Sequence, residues 1–398
     1  MIAFRHVERF ARVKLSVFLG AGVSVPSGLP TAAELTDRLF RPSAIESDEA
    51  RKIRGLLTLI REYDTTDIRR VGLYPAGDGF RASGAIYRGD ASTYEDLFFL
   101  CQQINLWSIG LSDNSQTSPF MEGIERRAGD LLGGTSFEAR MSELSRLGRP
   151  ACAYIEAVAA ETLRRDYGAG LDLLLEFARD PAVDELNIAT LNHDTLVEQL
   201  LTANGVRYAD GFGEGDGDVR WSDDRVYDDP GARVRLFKLH GSLDWYSFKY
   251  RGGWKTALLV GPDPSCARDG AGEALSAARN SPSFLSGLNK SVSYHRGVYA
   301  DVHFRFLELL RRCDLIVMSG YGWGDTALNF QLETWLDSAR GNRLVLLHQS
   351  PRELVDRSVI MAMSYEGWLG SGRLAVFEHW LADTSLSDLK KLAVWPLA

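Results

Sequence analysis

Three short segments of this 398-residue chain hold side chains that could act on a bond. Thr190-Leu191-Asn192-His193-Asp194 offers an amide, an imidazole and a carboxylate within five residues, and Lys238-Leu239-His240-Gly241 offers a second imidazole at a turn. An Asn, an Asp and a His brought to one edge of a parallel sheet can bind an amide and exchange a proton. The third segment, Gly20-Ala21-Gly22-Val23-Ser24, follows the apolar run Val17-Phe18-Leu19. Such a turn reads as an ordinary reversal or as a loop whose backbone can approach a pyrophosphate. The free N–H groups of a following helix start, with the hydroxyls of Ser24 and Ser27, would supply donors. It lacks the third glycine of the ordinary dinucleotide fingerprint.

Each segment ends an apolar run of strand character. Runs at 15–19, 186–190, 234–239, 314–318, 343–348 and 374–378 are rich in β-branched residues and suit strands buried on both faces. Helical patterns at 151–165, 195–203, 300–312, 326–339 and 351–362 lie between or after them. The alternation predicts an α/β, Rossmann-like, doubly wound parallel sheet. Between 45 and 144 it breaks: helical patterns at 45–63, 94–109 and 136–147 are separated by loops such as Pro75-Ala76-Gly77-Asp78-Gly79. The expected organisation is a Rossmann-like domain of residues 1–44 and 145–398, with a helical insertion at 45–144. The stretch 249–298 is rich in Gly, Ser and Pro with weak periodicity, and is expected to be an irregular lid or interface segment.

Composition narrows the function classes. The net charge is −8, which argues against a direct nucleic-acid partner, although a local basic patch is compatible with it. Cys101, Cys152, Cys266 and Cys313 are not paired at metal-knuckle spacing, so no zinc or other metal site is expected, and they read as thiols of a reducing compartment. The segment Met1-Ile2-Ala3-Phe4-Arg5-His6 lacks the apolar core of a signal peptide, and no apolar run approaches the ~20 residues of a membrane span. A cytoplasmic protein without membrane contact is expected.

Taken together, the segments resemble a family. Gly20-Ala21-Gly22-Val23-Ser24 with Ser27-Gly28-Leu29-Pro30 resembles the opening of the sirtuin NAD-binding domain. Thr190-Leu191-Asn192-His193-Asp194 resembles its Thr-Gln-Asn-Ile-Asp motif, and Leu239-His240-Gly241 its catalytic His-Gly. Ser319-Gly320-Tyr321 is similar to the segment that meets the adenosine ribose. The four stand in family order. The four-Cys zinc module of the deacylases is missing, and Thr31-Ala32-Ala33-Glu34 stands where they carry a Phe-Arg pair. The chain more closely resembles the sirtuin-like NAD hydrolases of bacterial anti-phage defence, through Tyr94-Glu95-Asp96-Leu97, Lys238-Leu239-His240-Gly241-Ser242-Leu243-Asp244-Trp245 and Gly320-Tyr321 followed by Asp325.

The resemblance implies NAD as substrate and cleavage of its nicotinamide–ribose bond. Asn192, His240 and Asp194 become the catalytic candidates. Asn192 would place a water or a ribose hydroxyl, His240 would take a proton, and Asp194 would accept from the nicotinamide carboxamide. Gly20, Ala21, Gly22, Ser24, Ser27, Thr190, Ser319, Gly320, Tyr321, Asp325 and Asn329 become candidates for binding NAD. Asp194 and Asp325 also stand where a helix N-cap belongs, a role compatible with binding. His193, and Tyr246, Tyr250 and Trp254, read better as packing. The resemblance further implies a homo-oligomer, and a HerA-type translocase ATPase or another defence-operon protein as partner. A protein deacylase or ADP-ribosyltransferase, a non-enzymatic NAD or ADP-ribose-binding module, and an ordinary Rossmann oxidoreductase are the other classes. The last would want three glycines and an acidic ribose-binding residue that the chain does not offer.

Overall fold

A computed structural model describes residues 13–41, 47–64, 70–76, 79–87, 93–111, 117–285 and 294–392. The first two residues of the helix expected at 45–63, Gly77-Asp78 of the loop read at 75–79, and Met1–His6 lie outside the described residues. The chain divides into two units, one of 1–28, 165–278 and 295–398, the other of 29–164 and 279–294.

The strands in chain order are β1 (Val13–Leu19), β2 (Arg70–Ala76), β3 (Gly79–Tyr87), β4 (Val183–Thr190), β5 (Tyr208–Ala209), β6 (Phe212–Asp216), β7 (Val219–Ser222), β8 (Val234–Lys238), β9 (Trp245–Tyr250), β10 (Gly253–Leu259), β11 (Leu315–Ser319), β12 (Arg343–Leu347) and β13 (Leu374–Phe377). Seven of them form a wholly parallel sheet in the order β13-β12-β11-β1-β4-β8-β5. All six strand runs expected from the sequence lie in it, and the α/β doubly wound class holds. Their apolar runs are continuous because both faces are covered: Leu15, Val17, Leu19, Val317 and Val345 are buried, as are Phe18, Ile316 and Met318 on alternate positions. Phe18, Phe237, Met318, Phe306 and Leu332 share one core with Trp323 and Trp335.

The register brings four strand ends level. Leu19 pairs with Ser319 on one side and with Thr190 on the other, and Thr190 pairs with Lys238. The carboxyl ends of β11, β1, β4 and β8 therefore stand in a row. The strand order also reverses at β1: β4 and β8 follow on one side, and β11 to β13 on the other. In open parallel sheets a crevice for ligands opens at such a reversal, outside the carboxyl ends of the strands.

Within the same unit, β6, β7, β10 and β9 form a small antiparallel sheet over a core of Val219, Tyr246, Phe248, Ala257 and Ala267. It replaces the irregular reading of the first part of 249–298. Tyr250 pairs with Gly253 across Arg251-Gly252, both with positive φ (46° and 87°), the reversal that tight hairpins need. A basic residue at a left-handed position hid that turn from the sequence.

The second unit is mainly helical, with the β2–β3 hairpin. The segments expected at 136–147 and 151–165 are one helix, Phe137–Leu163, with Pro150 inside it. Leu144, Leu147, Ala151, Ile155 and Ala159 keep one apolar stripe running through the proline, so packing carries the helix past the missing N–H. Conversely, 351–362 is two helices, Pro351–Val355 and Val359–Gly370; Asp356 is the C-cap of the first, and Ser358 caps the second by accepting from Met361 N–H at 3.4 Å.

Candidate functional site

The row of strand ends draws together the three segments that carry amide, imidazole and glycine. Leu19 O accepts from Leu191 N–H and Thr190 O from Leu239 N–H, each at 3.0 Å. Gly20 N–H donates to Ser319 O and Gly22 N–H to Gly320 O, each also at 3.0 Å. The glycines make this approach possible. A Cβ on Gly20 would lie 2.5 Å from Gly320 O, and one on Gly22 would lie 2.8 Å from Gly320 Cα. Gly320 itself has φ 67°, a conformation open to glycine. Beyond the turn, Ala21–Ser27 forms a 3₁₀ segment with Ala21 at the surface.

Asn192 sits at the centre. Its Nδ2 donates to Ser24 Oγ at 2.9 Å and to Gly20 O at 3.2 Å, and its own N–H donates to Thr190 Oγ1 at 3.1 Å. Its Oδ1 is buried and has no hydrogen-bond partner among the described residues. Ser24 Oγ donates to Asp194 Oδ2 at 2.8 Å, and Asp194 Oδ1 accepts from Leu196 N–H at 3.2 Å, so Asp194 also secures the start of the helix Leu196–Ala203. Sequence reasoning offered that cap beside the chemical role, and the geometry allows both.

His240 stands on the turn after β8, where Gly241 has φ 82°. Its Nε2 lies 3.2 Å from Asp325 Oδ2, with both side chains nearly out of solvent (4% and 10% exposed). Asp325 Oδ1 accepts from Leu328 N–H at 3.1 Å and caps the helix Thr326–Ser338. His193 places its ring 6.3 Å from that of His240. His303, from the helix Gly297–Leu310, sets its Nε2 3.0 Å from Leu239 O; burial pushes its titration down to about 4, so it is neutral near pH 7.

The remaining candidates divide. Tyr321 Oη lies 3.0 Å from Asp325 O and 2.8 Å from Asn329 Oδ1, and Asn329 Nδ2 donates to Trp323 O at 2.8 Å and Ser358 Oγ at 3.1 Å. Asn329 thus braces the turn 320–325, where Trp323 holds a positive φ of 55°. Ser319 Oγ donates to Leu347 O at 3.2 Å. Ser27 Oγ accepts from Gly168 and Ala169 N–H, both at 3.1 Å, tying the 3₁₀ segment to its neighbouring loop. Tyr246 lies in the small sheet's core and Tyr250 packs on Trp221 with centroids 4.6 Å apart, whereas Trp254 is exposed. Asp96 closes a capping box with Thr93.

One group was not singled out from the sequence. Lys238, the last residue of β8, is buried, pairs with Glu198 at 2.9 Å and donates to Asp194 O. Burial alone would lower Lys238, but Glu198, Asp244 and Asp194 together hold it above the ordinary lysine value. Burial pushes Glu198 up to about 7 against the pull of Lys238. The signals were present: a lysine ending an otherwise apolar buried strand, and a glutamate four residues after Asp194, one helical turn on. Among the described residues no group of His, Cys, Asp and Glu could hold a metal ion. No helix among them is long and apolar enough to cross a membrane.

No family model matches the chain, and no curated protein matches it. Among solved structures it is similar to a Sir2 homologue variant in complex with ADP-ribose, with 14% identity, 90% of this chain and 96% of that chain covered, and TM-score 0.33. It is also similar to Sir2 bound to acetylated peptide, with 12% identity, 90% and 93% covered, and TM-score 0.33. A third similar structure, from work on sirtuin substrate affinity, shares 13% identity over 84% of this chain and 82% of that chain, with TM-score 0.32. At such identities and scores the likeness says nothing about chemistry; the parallel sheet and its strand order stand on this chain alone.

Proposed function

We propose that this chain is an NAD hydrolase that cleaves the nicotinamide–ribose bond, giving nicotinamide and ADP-ribose with water as co-substrate. The observation that carries the reading is Asn192. Its amide nitrogen is fixed by Gly20 O and Ser24 Oγ, so its orientation is set. Its buried Oδ1 is left as an acceptor with no partner among the described residues, at the strand-order reversal. A buried acceptor held this way is costly unless something arrives to donate to it. A ribose hydroxyl or an attacking water would do so. Departure of neutral nicotinamide leaves positive charge on the ribose. The chain answers with the Asp194 carboxylate and with His240, which takes the proton released by water or a ribose hydroxyl. The Gly20-Ala21-Gly22 turn, with Ser24 and Thr190 behind it, faces the pyrophosphate, and Ser319-Gly320-Tyr321 the adenosine side.

In this reading the enzyme is a cytoplasmic effector of bacterial antiviral defence that depletes NAD. The central site side chains are nearly all buried, so access calls for an opening motion under control from outside the site. Self-assembly into a homo-oligomer is one such control, and Phe304, Phe330, Val359 and Met363 offer exposed apolar contact for it. A HerA-type ATPase is the other. A protein deacylase is less well supported: the four cysteines are all free and unclustered at zinc-ligand spacing.

The test is incubation of the purified chain with NAD, alone and with its genomic neighbour's product, followed by chromatography. Nicotinamide and ADP-ribose in equal amounts are expected without any acceptor peptide. Asn192→Ala and His240→Ala should each lose about a hundredfold or more of the rate while melting like the parent. Tight NAD binding without turnover in any assembly would replace the hydrolase by a ligand-gated binding module.

A further inference from the structure

Asp325 does more than end a helix. Its Oδ1 is taken by Leu328 N–H at 3.1 Å, and its main chain is clamped by Tyr321, whose Oη lies 3.2 Å from Asp325 N and 3.0 Å from Asp325 O. The second carboxylate oxygen is thereby aimed, and it points at His240 Nε2, 3.2 Å away. His193 contributes a ring 6.3 Å off, and His303, on the opposing helix, is kept neutral by burial, with His295 beyond it. A carboxylate fixed at hydrogen-bond distance from Nε2 favours the tautomer with its proton on that nitrogen, and it favours the charged form.

We propose that Asp325 is a positioning residue for His240: it accepts the Nε2–H, so that Nδ1 is the nitrogen that receives a proton, and it stabilises the imidazolium that results. This rests on reading His240 as the base, and it takes Asp325 from the candidates for binding NAD to the reacting side of the site. The helix 326–338 is then the rigid mount of the pair, with one carboxylate serving cap and base together. No redox or group-transfer step is added; one proton passes from a water or hydroxyl to Nδ1 and leaves to solvent.

Asp325→Asn separates the roles, since Asn caps a helix as well as Asp but carries no charge. Histidine-labelled protein, with His240→Gln used to assign the resonance, is titrated by NMR with and without the substitution. Nicotinamide release is followed from pH 5 to 9 in parallel. In Asp325→Asn the His240 titration should move down by about one pH unit or more, and the acid limb of the rate profile should move with it. The plateau rate should fall about tenfold or more, and Asp325→Glu should recover part of it. An unmoved His240 titration overturns the pairing whatever the rate does. A uniform rate loss with the acid limb in place overturns the positioning role. If the titration moves but the parent never cleaves NAD, the pair stands and the hydrolase reading falls.

Discussion

Gly20 shows how a residue written for a ligand can be explained first by its neighbours. Its missing Cβ lets the end of β1 lie on the turn after β11, with Gly320 O and Tyr321 Cα both 2.5 Å from where that carbon would be. Both neighbours are backbone, so neither can swing aside. Gly20→Ala should therefore cost about 1–3 kcal/mol, as overpacking does, before any ligand is present. A urea midpoint equal to the parent's would mean the two turns part freely and would sink that account. That Asn192, Asp194 and His240 lie on neighbouring strand ends could be read, because each directly follows an apolar strand run. Asn329 and Ser319 could not be placed, because whether a buried polar group bonds inward or outward depends on partners far along the chain, such as Ser358 and Leu347. Lys238 and Glu198 went unclaimed because their meaning lies in a contact between a strand and a helix forty residues apart.

Elements were readable where one period dominated. The strands of the parallel sheet are unbroken apolar runs because they are covered on both faces, which is a strong signal. The small antiparallel sheet was missed because β6, β7 and β10 are half exposed and carry Gly, Asp and Arg. Helix Phe137–Leu163 was cut in two at Pro150, where local propensity pointed one way and the buried stripe another. The same helix supports a test. Glu156 lies buried on it and accepts from Arg279 Nη1 at 2.9 and 3.0 Å, and burial raises its titration even so. A carboxyl raised in the folded state stabilises below its unfolded titration and loses that contribution as pH rises. Arg279→Met removes the opposing pull and raises Glu156 further. The loss of stability should be small at pH 5 and about 1–3 kcal/mol at pH 8. Urea midpoints at the two pH values decide it; an equal loss at both would show that Arg279 acts through packing and not through charge.

For the molecule as a whole, two buried groups near the site pull stability in opposite directions over the same pH range. His303 is lowered to about 4 by burial, so its contribution is complete above the ordinary histidine value and is lost as pH falls through about 4. Glu198 is raised to about 7, burial prevailing over Lys238, with the Asp244 charge pushing the same way. Its contribution is complete below the ordinary glutamate value of 4.5 and is lost as pH rises through about 7. The loss from Glu198 thus offsets much of the gain from His303 between pH 4.5 and 6.5. Glu198→Gln removes one side of that balance. It keeps a hydrogen-bonding partner for Lys238, which retains Asp244 nearby and the Asp194 carbonyl. Relative to the parent, the variant should gain stability steadily from pH 4.5 to 7, by up to about 3 kcal/mol across the window, since each tenfold change in proton affinity corresponds to about 1.4 kcal/mol. Stability curves of the two proteins at half-unit intervals test this. Two parallel curves would mean that Glu198 stays ionised beside Lys238 throughout, as a plain buried ion pair. A widening gap would place a proton on Glu198 in the folded protein at mildly acid pH, one helical turn from Asp194. Any pH profile of the site would then contain the Glu198 proton as well as that of His240.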